Sequence, residues 1–145
     1  SFSSNPTATI AALDSISGNK VLILGGKDRG IELVDLMNSI DKHRNELVRI
    51  EVIGEAGERI AKSLNNINFT SYEILNNVDM KEIINKSKSN LNSDCSIILS
   101  PGFPSFDMFK DFEDRGKQFN QVVDALWNTT NLYSKIITSM ITQES

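Results

Sequence analysis

The chain has 145 residues, 39% hydrophobic and 23% charged, a composition that suits one globular domain. Fifteen Lys and Arg against nineteen Asp and Glu give a formal charge of −4, the wrong sign for a protein that grips a nucleic-acid backbone. A single cysteine, Cys95, and a single histidine, His43, exclude an internal disulfide framework, a Cys-based zinc site and any motif that needs two histidines. No apolar run approaches the roughly 20 residues of a membrane span. Ser1 to Pro6 have neither the basic nor the apolar region of a signal peptide, so the expectation is a cytoplasmic protein bound to neither membrane nor nucleic acid.

Asn5-Pro6 predicts a helix start, with Asn as cap and Pro at the first helical position. Thr9, Ala12, Leu13 and Ile16 follow the helical stripe, and Ser17-Gly18-Asn19 ends it. Val21-Leu22-Ile23-Leu24, stopped by Gly25-Gly26, reads as a strand buried on both faces. After Gly30, Leu33, Leu36, Met37 and Ile40 mark a second helix. Leu47 to Ile53 is a β-branched strand ending at Gly54, and Ile60, Ala61 and Leu64 mark the helix behind it. Phe69 to Leu75 is a weaker strand, followed by a helix through Met80, Ile83, Ile84, Ser87 and Leu91. Cys95 to Leu99 is a strongly apolar strand that stops at Ser100-Pro101-Gly102. A long helix is expected from about Asp107, with Phe109, Phe112, Phe119, Val122 and Leu126 inward. In the tail, Tyr133, Ile136, Ile137 and Met140 form one more helical stripe.

Strands that alternate with helices of about 10–15 residues mean βαβ units. The expected fold is a Rossmann-like three-layer αβα domain with a mostly parallel sheet of about four or five strands. It occupies the whole chain, 1–145, with an extra helical tail from about residue 128.

Ligands of such sheets bind beyond the carboxyl ends of the strands. Two strand-end loops therefore draw the search. The first is Gly25-Gly26-Lys27-Asp28-Arg29-Gly30, which matches neither GxGxxG nor GxxxxGK[ST], so the chain lacks a P-loop. It offers Lys27 and Arg29 at an expected helix N-terminus, a seat for a carboxylate or phosphate. The plainer alternative is a solvated turn whose Asp28 caps the helix. The second loop, Ser100 to Asp107, has two prolines and a glycine that stiffen it. There Ser105 or Asp107 either holds an anion or caps a helix. His43 reads as a helix-end surface residue and Cys95 as a buried thiol. No nucleophile, general base or metal set emerges.

Three blocks together carry a resemblance. They are Ser1 to Leu13, Val21 to Gly30, and Leu99-Ser100-Pro101 with the run Ser105-Phe106-Asp107-Met108-Phe109-Lys110-Asp111-Phe112-Glu113-Asp114-Arg115-Gly116-Lys117-Gln118-Phe119. In this order they resemble the C-terminal domain of the Mur ligases, most closely the branch that adds D-glutamate, over about residues 1 to 125. The resemblance implies an ATP-dependent ligase that joins D-glutamate to UDP-N-acetylmuramoyl-L-alanine in peptidoglycan synthesis, and so serves the cell wall, cell shape and division. Such a ligase has three domains. The first holds the UDP substrate, the central one carries the P-loop, ATP and Mg2+, and the third positions the amino acid and closes over ATP. Only the third resembles this chain, whose first residues fall inside a family motif. That implies an excised domain, inactive alone.

By the resemblance, Arg29 holds one carboxylate of D-glutamate, and Ser105 binds the other end through its hydroxyl. Phe112 contributes its backbone N–H, Ser4 lies near the amino acid and Asn5 near the nucleotide. No catalytic or metal-binding residue is implied within the domain. Phe2 stands where the family often has Lys, and Gly102-Phe103-Pro104 where it usually has small residues. Two other readings stay open. One is a sister Mur or folylpolyglutamate-type ligase for another amino acid, and the other is a non-catalytic binding module of the same fold.

Overall fold

The computed structural model describes residues 6–88, 95–102, 113–114, 117–118, 120–121 and 136–137. In chain order the elements are α1 (Pro6–Ser15), β1 (Lys20–Gly25), α2 (Val34–Lys42), β2 (Leu47–Ile53), α3 (Gly57–Asn66), β3 (Tyr72–Leu75), α4 (Met80–Lys88), β4 (Ser96–Gly102) and β5 (Ile136–Ile137). The sheet runs β3-β2-β1-β4-β5, and every neighbouring pair is parallel.

The apolar runs explain the layers. All six residues of β1 are buried. Leu22 and Leu24 join one core with Leu13, Leu36, Ile40, Ile60 and Leu64, which come from α1, α2 and α3. Ile23 points the other way and joins Ile53, Ile97 and Leu99 under Met80, Ile83 and Ile84 of α4. Helices thus cover both faces of an all-parallel sheet, the three-layer Rossmann-like arrangement that alternating segments imply. Each buried Leu or Ile contributes about 1.5–3 kcal/mol through burial.

The helix ends follow local chemistry. Pro6 opens α1, and Asp79 Oδ1 accepts the Glu82 N–H at 2.9 Å to cap α4. His43 sits at the end of α2, where its Nε2 meets Asp14 Oδ1 at 2.9 Å and ties α1 to α2. Cys95 is buried just before β4.

Three expectations need correction. β3 begins at Tyr72 rather than Phe69, because Asn68 turns left-handed (φ 58°) and drops Phe69 into the core before the strand starts. α2 begins at Val34, with Leu33 as its N-cap and no side-chain cap bond. In the tail, Ile136–Ile137 is a strand paired with Ile97 and Ile98, not part of a helical stripe. The β-branched pair suits an extended strand, and the bare edge of β4 supplies the ladder it joins. The rest of the tail and the start of the long helix expected from Asp107 lie outside the described residues. Within that helix Glu113, Asp114, Lys117, Gln118, Asn120 and Gln121 are helical, and Gln118 Nε2 donates to Asp114 Oδ2 at 3.0 Å.

Candidate functional site: a pinned loop at the switch point

β1 is flanked by β2 on one side and β4 on the other, so the chain leaves the sheet in opposite directions around its carboxyl end. This is the switch point at which open α/β sheets bind ligands. Gly25 pairs with Gly102 across a register shift that follows Ile23 and Leu99. Pro101, which has no N–H to give a ladder, lies inside that shift. The two loops singled out in the sequence therefore leave the sheet from paired residues.

The first loop is held by backbone before any side chain acts. Gly25 and Gly26 have φ of +136° and +142°, open only to glycine. A Cβ at Gly25 would lie 1.9 Å from the Ile53 carbonyl oxygen, so the ends of β1 and β2 touch backbone to backbone. The Gly26 N–H donates to Ile53 O at 3.1 Å, and the Ala56 N–H donates to Gly26 O at 2.9 Å.

Side chains then fasten the loop to α3. The Asp28 N–H donates to Glu55 Oε1 at 3.0 Å, and Lys27 Nζ lies 3.6 Å from Glu55 Oε2. Arg59 holds the Asp28 carboxylate with Nε (3.1 Å) and Nη2 (2.9 Å), and its Nη1 donates to the Ile31 carbonyl at 2.8 Å. Asp28 Oδ1 also accepts the Gly30 N–H at 3.0 Å, which supports the left-handed turn at Gly30 (φ +70°). The Arg59 hydrogen bonds, then the Gly30 N–H, hold the Asp28 carboxyl below the ordinary carboxylate range.

Asp28 is therefore no helix cap, because its carboxylate goes to Gly30 and Arg59, and α2 starts only at Val34. For the same reason Lys27 and Arg29 do not stand at the N-terminus of α2. They stand on a pinned arc at the end of β1, with Arg29 exposed on it. Ser4, Asn5, Ser105 and Phe112 lie outside the described residues. Glu55 and Arg59 are the participants that sequence reasoning missed. The available signal was Gly54 at the end of β2, because a strand beside β1 must send its own loop past this one. Among the described residues no three His, Cys, Asp or Glu side chains gather as a metal site. No described helix is long and apolar enough to cross a membrane.

No family model matches the chain. Curated relatives do. The UDP-N-acetylmuramoylalanine–D-glutamate ligase of Caldanaerobacter subterraneus subsp. tengcongensis is 33% identical over 119 residues, which cover 82% of this chain and 26% of the relative. Ligases of the same name from Bdellovibrio bacteriovorus and Ruminiclostridium cellulolyticum are each 34% identical, over 85% and 87% of this chain and 25% and 28% of their own lengths. This chain is related to the Mur ligases. It spans about a quarter of the length of these relatives.

Proposed function

We propose that this domain positions D-glutamate within an ATP-dependent ligase that joins it to UDP-N-acetylmuramoyl-L-alanine, a cytoplasmic step of peptidoglycan synthesis. The observation that carries the reading is Arg29, an exposed residue on a loop fastened on both sides at the switch point. The similarity to D-glutamate ligases over four-fifths of the chain supports it.

In this reading ATP phosphorylates the alanine carboxylate of the nucleotide substrate. The amine of D-glutamate then attacks the acyl phosphate, and phosphate leaves from the tetrahedral intermediate. Arg29 grips one carboxylate of D-glutamate with two parallel hydrogen bonds. Ser105, the Phe112 N–H and Ser4 complete the amino-acid seat, and Asn5 lies near the nucleotide. The domain contributes orientation, which lowers the entropic part of the barrier. ATP and Mg2+ are held chiefly by the parts of the ligase that this chain does not match, consistent with a domain that is inactive alone.

Arg29→Ala in the complete ligase tests the reading. Loss of a charge-assisted pair worth about 2 kcal/mol raises the D-glutamate KM roughly 30-fold. The KM for ATP is expected to stay within about twofold, because the lost contact is to the amino acid alone. A wild-type D-glutamate KM refutes the site, and saturation by another amino acid in competition reassigns the substrate.

A further inference from the structure

Arg29 lies in the middle of an arc with an anchor at each end. Before it, the Asp28 N–H is bonded to Glu55. After it, the Gly30 N–H is bonded to Asp28 Oδ1, and the Ile31 carbonyl is bonded to Arg59 Nη1. One guanidinium, from the first turn of α3, spans the arc, with two of its N–H groups on the Asp28 carboxylate and a third on the Ile31 carbonyl.

We propose that Arg59 is a positioning residue for amino-acid recognition, fixing the arc that presents Arg29 and occupying the one carboxylate in that arc. The inference rests on the reading of Arg29 given above. Both parts follow from chemistry. Asp28 precedes Arg29 directly and carries the same charge and donor-accepting geometry as the ligand carboxylate that Arg29 is to hold. An unoccupied Asp28 would compete for Arg29 from within the loop. With two bonds from Arg59 and one from Gly30, three of its roughly four lone-pair positions are taken and both oxygens are engaged. The third Arg59 bond, to Ile31, fixes the far side of the arc, so the direction in which Arg29 leaves the loop is set from α3. Only a planar fork of five donors reaches both targets at once, because the ammonium of a lysine is a single point.

The complete ligase is assayed as wild type, Arg59→Ala, Arg59→Lys, Arg29→Ala and the Arg29→Ala/Arg59→Ala double variant. Arg59→Ala is expected to raise the D-glutamate KM about tenfold, with kcat and the ATP KM within about twofold of wild type. Arg59→Lys recovers only part of that loss. In the Arg29→Ala background Arg59→Ala changes the D-glutamate KM by less than about twofold, because Arg29 is what Arg59 positions. Equal losses in the two backgrounds, or a loss in kcat with KM unchanged, overturn the proposal. Should Arg59→Ala fail to fold, as judged by its melting curve, Arg59→Gln takes its place. That variant keeps a polar side chain on α3, loses the charge and the two-bond grip on Asp28, and is read by the same split. An impaired Arg29→Ala beside a wild-type Arg59→Ala sinks this proposal alone. A wild-type Arg29→Ala sinks the functional reading and this one with it.

Discussion

Two arginine–carboxylate pairs in this domain use the same groups to opposite effect. At the strand ends Arg59 grips Asp28, both oxygens of the carboxylate are bonded, and water still reaches the pair. In mid-sheet Arg49 donates from Nε to Glu51 Oε1 at 2.9 Å, but Glu51 is wholly buried and its Oε2 has no hydrogen-bond partner among the described residues. Arg49 is divided, since its other arm binds Glu73, which Lys86 also approaches at 3.4 Å. The Asp28 carboxyl is held down by its hydrogen bonds. The Glu51 carboxyl is pushed up by burial, against the opposing pull of Arg49. A charge is well tolerated where loops leave the sheet and costly where strands pack, even with a partner of the same kind.

The comparison is broken most severely at Gly25. Gly25→Ala places a Cβ on the Ile53 carbonyl at a backbone angle that only glycine adopts readily, and is expected to cost about 4 kcal/mol in urea unfolding. A loss of less than about 1 kcal/mol would mean that the strand ends separate without penalty and the arc is not held by backbone. Arg49→Met comes next. Stripping the partner from a buried carboxylate is expected to cost about 3 kcal/mol, most of it recovered in the Arg49→Met/Glu51→Leu double variant. Failure of that rescue would show that Arg49 acts through Glu73 and not through Glu51.

The smallest effect has the sharpest sign. Asp28 binds protons less readily folded than unfolded, so its contribution is present above its ordinary value of 3.8 and fades as pH falls below it. Glu51 behaves in reverse. Its contribution is greatest below its ordinary value of 4.5 and is lost as pH rises from there through the raised folded value. Melting curves from about pH 3 to 8 should therefore show Asp28→Asn flattening the acid limb and Glu51→Gln flattening the slope above it. Slopes of one sign would abolish the contrast.

The same contrast explains what could be read before the fold was known. Leu22 to Leu24 and Ile97 to Leu99 are legible as strands because burial on both faces leaves an unbroken apolar run, and Leu47 to Ile53 because it is rich in β-branched residues despite Arg49 and Glu51. Arg29 is legible as a cation on a strand-end loop. Arg59 is not, because its role depends on β2 lying beside β1, a neighbour relation that no local spacing encodes. Asp28 misleads for the same reason, since a carboxylate ahead of a helical stripe reads as a cap until a distant guanidinium is found to hold it. Ile136 and Ile137 fit a helical stripe by spacing, yet the open edge of β4 makes them a strand. Phe112 was picked out by the family resemblance alone and Ser105 by its strand-end loop as well, and both lie outside the described residues.

Among the described residues, the groups that hold Arg29 in place all come from the stretch between Gly25 and Arg59. β4 joins β1 only after the chain has closed the far longer span from Gly25 to Ser96, a larger entropic cost. The short span lets the arc that carries Arg29 assemble from β1, β2 and α3 at a smaller entropic cost than the closure onto β4.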